Sequence, residues 1–225
     1  MIPTIIIPVL NRYDLLDRCI STIGEVERVI VIDNGDRIDD ETARFWKYDR
    51  HLVDADVRIF PMPSNLGVAA SWNLGVKMTP HSDGWLLLNS DAYFSEDSYA
   101  QLETEVRRDA IVLAGNPPWC CAWIGADVVK RVGLFCERYY PAYMEDLDYE
   151  RKAMLAGVDV IRSDAKVAHD NSSTIAADPV MAERNRQTHA NNRAFYDHRW
   201  STVGADGWPA DAEWSLRTRL ENSWE

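Results

Sequence analysis

The chain has 225 residues, 46% hydrophobic and 27% charged, which suits one compact core and excludes a disordered polymer. Its 24 Lys and Arg stand against 36 Asp and Glu, a net charge of -12 that repels phosphate backbones and anionic lipids, so nucleic acid is excluded as a partner. No apolar run approaches the roughly 20 residues that span a bilayer, so no transmembrane segment is expected.

The apolar opening, residues 2–10, holds two prolines and no basic leader, and reads as a buried strand rather than a signal peptide. Within it, residues 4–9 are a β-branched run too short for a helix. Residues 14–23 place Leu15, Leu16, Cys19, Ile20 and Ile23 on one helical face, with Gly24 as a stop. Strands are predicted over 28–32 and 57–60, the latter ended by Pro61 and Pro63. A helix over 68–78, a strand over 85–88, a polar-faced helix over 97–108 and a strand over 110–114 follow. This alternation predicts an α/β fold with a largely parallel sheet covered on both faces.

The second half is less regular. It predicts a strand over 119–125, a helix over 145–156, short strands over 158–161 and 166–168, and a long helix over 179–199. Residues 204–209 break that helix, and 212–220 form a last one. Residues 1–175 are expected to be one domain, with halves at about 1–92 and 93–175. Residues 176–225 are expected to be a helical extension packed on it. Cys19, Cys120, Cys121 and Cys136 match neither a disulfide framework nor a zinc spacing, which suggests reduced thiols and a cytoplasmic protein.

Ligands of such sheets lie beyond the carboxyl ends of the strands. Polar residues gather there: Pro8, Asn11 and Arg12 after the first strand, Asp33-Asn34-Gly35-Asp36 after the second, Asn65-Leu66-Gly67 after the third, and Asn89-Ser90-Asp91 after the fourth. Singly, each is explained as a turn or a helix cap. Together at one sheet edge they suit a ligand rich in hydroxyls, amides and phosphate. No glycine-rich turn follows the first strand, so neither a dinucleotide fingerprint nor a Walker loop is present.

The ordered series of motifs resembles the inverting nucleotide-sugar glycosyltransferases of family 2, with the GT-A fold, in particular their rhamnosyltransferase-like and galactofuranosyltransferase-like members. The resemblance rests on residues 5–12, 31–35, Asn65-Leu66-Gly67 with Asn73 and Gly75, and 87–91. It continues through 132–135, Glu145-Asp146-Leu147-Asp148 with Arg151 and Gly157, and His169 with Ser172 and Ser173. It covers roughly residues 2–173, and implies that 1–175 is a catalytic domain with a nucleotide-binding half (1–92) and an acceptor and catalytic half (93–175).

The resemblance implies that Asp33 accepts hydrogen bonds from the donor's base or ribose, with Pro8, Asn11, Arg12, Asn34, Asn65, Gly67, Asn73, Asn89 and Ser90 completing the nucleotide pocket. Asp91 would hold a divalent cation against the diphosphate, with His169 as a further ligand and Asn89 as a weaker one acting through water. The donor set leans towards Mn²⁺, with Mg²⁺ as substitute. Asp146 would be the general base. Glu145 is the alternative base or an acceptor-positioning residue, and Asp148 and Arg151 would orient the helix by ionic contacts. Trp119 and Trp123 are candidate stacking faces for the acceptor, with plain core packing the equal alternative. One departure is Phe135-Cys136-Glu137, where the family often has Phe-Asp-Glu. The expected activity is transfer of one sugar from a UDP- or dTDP-linked donor to a hydroxyl of a glycan, lipid-linked or protein acceptor. A catalytically weak or inactive nucleotide-sugar or glycan binder of the same fold and a sugar nucleotidyltransferase are the alternatives.

Overall fold

The computed structural model describes residues 1–35, 37–48, 52, 54–170 and 179–209. Asp36, Ser172, Ser173 and the helix expected over 212–220 lie outside them. Strands β1 (Ile2–Val9), β2 (Val26–Asp33), β3 (Asp56–Pro61) and β4 (Gly84–Leu88) alternate with helices α1 (Tyr13–Ser21), α2 (Asp40–Tyr48) and α3 (Val68–Met78). Then come β5 (Ala92–Phe94), α4 (Ser98–Glu105), β6 (Ala110–Ala114), β7 (Cys121–Gly125), α5 (Ala126–Val132), α6 (Glu145–Leu155), β8 (Asp159–Arg162), β9 (Val167–His169) and α7 (Pro179–Ser201). None of the described helices is long and apolar enough to cross a membrane.

Seven strands form one sheet in the order β3-β2-β1-β4-β7-β6-β8. Only β7 runs against the rest, pairing antiparallel with β4 and β6. Because helices cover both faces, the central strands are apolar without alternation. Ile5 and Ile7 of β1 pack on one face with Leu16 and Ile20 of α1 and Trp46 of α2. Ile6 packs on the other face with Trp72 and Val76 of α3. Each of these fully buried isoleucines contributes roughly 1.5–3 kcal/mol.

β5 and β9 stand apart as a two-stranded ribbon. Three predicted boundaries shift inward: the helix over 97–108 stops at Glu105, the strand over 119–125 begins at Cys121 after a 3₁₀ turn over Pro118–Cys120, and α1 ends at Ser21. The thiols of all four cysteines are free and buried.

Candidate active site

Asp33 closes β2 with its side chain fully buried. Its Oδ1 accepts from the Tyr13 hydroxyl at 2.6 Å and the Gly35 amide at 3.0 Å, and its Oδ2 from the amides of Arg37 at 2.9 Å and Ile38 at 3.0 Å. Burial, then this contact with Asp33, pushes the Tyr13 hydroxyl well above its ordinary pKa. The carboxylate thus shapes the loop after β2 from beneath instead of presenting itself to a base or ribose. Gly35 is required there, because a Cβ would lie 2.2 Å from the Leu10 carbonyl oxygen.

Asn34 carries the loop onward. Its Oδ1 accepts from the Leu66 amide at 2.8 Å, and its Nδ2 donates to Ser71 Oγ at 3.0 Å. Asn65 Oδ1 accepts from the Gly67 amide at 2.8 Å in a turn that starts α3. Gly67 has φ 80°, and a Cβ there would meet the Pro141 carbonyl oxygen at 2.8 Å. The Tyr140 hydroxyl donates to the Asn65 carbonyl at 3.2 Å, and the Val68 amide to that of Pro141 at 2.7 Å. The segment leading to α6 is thereby docked on the turn after β3.

Asn73 does not face this cleft. It is fully buried in α3, where Nδ2 donates to the Phe135 carbonyl at 3.0 Å and Glu137 Oε1 at 2.8 Å while Oδ1 accepts from the Phe135 amide at 2.9 Å. It is a strut between α3 and the 135–137 segment, not a nucleotide contact. Pro8 is half-buried at the exit of β1, opposite Ile32, and Asn11 follows it. Arg12 caps α1 in a left-handed conformation and pairs with Asp14 at 2.7 Å. Its guanidinium pKa is raised by that hydrogen bond first and then by Coulombic attraction, to Asp14 and in smaller part to Asp170 and Asp91.

The turn between β4 and β5 holds Asn89, Ser90 and Asp91, and the ribbon brings in His169 opposite Ala92. His169 Nε2 lies 2.8 Å from Asp91 Oδ1 and 3.2 Å from Asn89 Nδ2. One imidazole nitrogen cannot donate to the carboxylate and accept from the amide at once. With the amide turned to present its oxygen, the three donor atoms suit a divalent cation, since neighbouring ligands at about 2.1 Å from an octahedral ion lie about 3 Å apart. Asp91, His169 and Asn89 therefore fit such an ion. Among the described residues, no group of three or more His, Cys, Asp and Glu side chains is placed to hold a metal, so the third donor would be the amide. Arg18 of α1 braces this ribbon by pairing with Asp170 and stacking 3.9 Å over the Tyr93 ring.

Glu145 and Asp146 open α6 directly behind Tyr143 and Met144, which have φ 79° and 76°. Glu145 is 5% exposed, and its Oε2 has no hydrogen-bond partner among the described residues. Burial, then the neighbouring Asp146, pushes its pKa well above the ordinary carboxylate value. Asp146 is half-buried, accepts from the Leu147 amide at 2.8 Å, and is also pushed up by burial. Asp148 faces away from the cleft, fully buried between Lys152 Nζ at 3.3 Å and Arg199 Nε of α7 at 3.1 Å. Arg151 makes a cation–π contact, its guanidinium lying 4.2 Å over the Trp200 ring.

A sequence profile described as glycosyl transferase family 2 matches residues 4–131, more than half of the chain. The chain belongs to glycosyl transferase family 2. Among curated protein sequences, none matches significantly. The mannosyltransferase PcManGT from Pyrobaculum calidifontis, solved with GDP-Man and Mn²⁺, is 15% identical over 98% of this chain and 70% of its own, with a TM-score of 0.63. GalNAc-T7, solved with UDP, GalNAc and Mn²⁺, is 11% identical over 75% of this chain and 44% of its own, at 0.62. The 1–349 fragment of S. aureus TarS is 16% identical over 76% of this chain and 61% of its own, at 0.56. The chain thus spans less than two thirds of the TarS fragment and of GalNAc-T7. These likenesses show that this family 2 chain has the GT-A fold.

The aromatic residues expected at the acceptor side of the family 2 site are placed otherwise. Trp123 is 2% exposed and donates from Nε1 to the Arg107 carbonyl, at the end of the sheet away from the cleft. Trp119 is 6% exposed, hydrogen-bonded to Glu150 and packed edge-on against Phe135 and Tyr149. Both are core residues, and neither ring face is open to a sugar. Tyr140, 51% exposed and hydrogen-bonded to the Asn65 carbonyl, is an open aromatic at this edge. Cys136, at the family's usual Asp position, is buried against Arg199 at 3.1 Å.

Proposed function

We propose that the chain is a cation-dependent, inverting glycosyltransferase that moves one sugar by single displacement from a UDP- or dTDP-linked donor to a hydroxyl of a glycan, lipid-linked or protein acceptor. The observation that carries this reading is the convergence of Asn89, Asp91 and His169 just beyond β4, at the same carboxyl edge of the parallel strands as the turn after β3. Neighbours of this fold solved with UDP or GDP-Man and Mn²⁺ support a nucleoside-diphosphate donor and a divalent ion.

When bound, the cation offsets the charge that develops on the departing diphosphate. Asn89, Asp91 and His169 would hold it. The loops after β2 and β3, tied together by Asn34, form the floor under the nucleotide. Asp146 takes the acceptor hydroxyl's proton as that oxygen bonds to the anomeric carbon. Its raised pKa makes it a stronger base than an exposed aspartate. Glu145, whose carboxyl is pushed up by burial, is the alternative base or an acceptor-positioning residue. Four buried free thiols support a reducing, cytoplasmic setting.

The test is a thermal-shift and hydrolysis screen with Mn²⁺ of UDP-glucose, UDP-galactose, UDP-GlcNAc, dTDP-rhamnose and GDP-mannose. A UDP- or dTDP-sugar should raise the melting temperature by mass action and be slowly hydrolysed, with inversion of the anomeric centre by NMR. Retention of configuration, or full activity in folded Asp91→Ala and Asp146→Ala variants, overturns the reading. Binding without any turnover favours the inactive-binder alternative.

A further inference from the structure

The segment from Tyr140 to Met144 links the turn after β3 to the carboxylates opening α6. It carries two consecutive non-glycine residues in the left-handed region, Tyr143 at φ 79° and Met144 at φ 76°. Such residues persist only where their surroundings over-determine them. Here the surroundings are a helix beyond the matched profile. Asn192 of α7 is 6% exposed, and its Nδ2 lies 2.8 Å from the Ala142 carbonyl oxygen, 3.3 Å from that of Tyr143 and 3.4 Å from that of Tyr140. Asn185, two turns earlier, donates to the Tyr143 hydroxyl at 3.2 Å. Phe195 packs against Tyr139 with ring centroids 5.1 Å apart and planes tilted by 55°, and Arg199 reaches Asp148 inside α6. One face of α7 therefore grips the segment on both sides of Glu145-Asp146.

We propose that Asn192 is a positioning residue for the transfer reaction, its amide holding the 140–144 segment in the left-handed turn that aims Asp146 into the cleft. Three carbonyl oxygens converge on one NH₂ group, which no apolar or purely accepting side chain can replace. Without it, Tyr143 and Met144 relax towards ordinary φ values, and the first turn of α6 swings with them. This inference rests on the glycosyl-transfer reading above.

The test uses the full chain and its Asn192→Asp, Asn192→Leu and Asn185→Ala variants. Mn²⁺-dependent hydrolysis is measured on the five nucleotide sugars of the screen, alongside UDP-binding stoichiometry and hydrogen exchange of the 140–147 amides. For both Asn192 variants kcat should fall roughly 10- to 100-fold, the range for a misplaced catalytic group. The donor KM and UDP stoichiometry should stay within twofold of wild type, the segment's amides should exchange faster, and the acid limb of the pH profile should move as Asp146 is re-exposed. Asn185→Ala should change each in the same direction by less, and it decides the matter if the Asn192 variants fail to fold. Unchanged kcat in folded variants, or a kcat loss matched by lost UDP stoichiometry, overturns the role. If wild type turns over no donor, the transfer reading falls and the catalytic role of Asn192 with it, while faster exchange would still register the grip of α7 on the segment.

Discussion

His169 Nε2 stands 2.8 Å from Asp91 Oδ1, and the two meet only because β9 pairs antiparallel with β5. Removing either donor should weaken Mn²⁺ binding in the presence of UDP. Because loss of even an outer-shell partner costs about 10- to 100-fold in metal affinity, Asp91→Asn and His169→Ala should each lose at least about tenfold. Electron paramagnetic resonance of free Mn²⁺ reads this directly. Wild-type affinity in both variants would remove them from the cation site.

Asp146→Asn keeps the shape of the side chain and removes the proposed base. Turnover should fall about 100- to 10,000-fold, the usual contribution of general base catalysis. The thermal shift on adding UDP and Mn²⁺ should be unchanged. Burial holds the Asp146 pKa above its ordinary value, so the wild-type acid limb of kcat/KM should lie above the usual aspartate range. An acid limb within that range would assign the base elsewhere.

Glu145 ties stability to pH. Burial raises its folded-state pKa above the unfolded value of about 4.3, so the folded chain holds a proton that the unfolded chain has already released. The associated stability is complete below that unfolded value and is lost as pH rises towards the folded one. Glu145→Gln removes the dependence. Its melting temperature should match wild type near pH 4 and exceed it at pH 7 to 8, by about 2–4 °C for each kcal/mol relieved. An offset that does not change with pH would mean that Glu145 is ionised in the folded chain.

Asp148 is fully buried between Lys152 and Arg199, and also accepts from the Trp200 indole at 3.0 Å and the Tyr139 hydroxyl at 3.2 Å. Asp148→Ala leaves two buried cations without their carboxylate, a loss of about 3–5 kcal/mol. The melting temperature should drop by roughly 6–20 °C. Arg199→Leu should cost less, because Lys152 remains paired.

The parallel sheet was legible because its strands are short β-branched runs closed by polar turns, and α3 because Gly67 and Thr79 bound its apolar stretch. Helix α2 was missed because its residues are mostly polar; Trp46, 1% exposed and donating to Asp17, anchors it. Strand β5 is three residues long and carries no periodicity of its own. The meeting of Asn89, Asp91 and His169 could be anticipated from their order along the chain, whereas the burial of Asn73, Trp119 and Trp123 could not. A helical asparagine can cap, bind or brace, and an indole packs in a core as readily as on a sugar. Three-dimensional context alone separates these roles, as it does for the grip of Asn192 on a segment some fifty residues earlier.

The ribbon of β5 and β9 lies outside the seven-stranded sheet, yet it alone joins Asn89 to His169, eighty positions apart in the chain. A His169→Ala substitution would leave every strand of the large sheet in place and remove only the imidazole that the ribbon brings to Asp91. Far-ultraviolet dichroism would therefore report the large sheet and stay silent on whether this ribbon has closed.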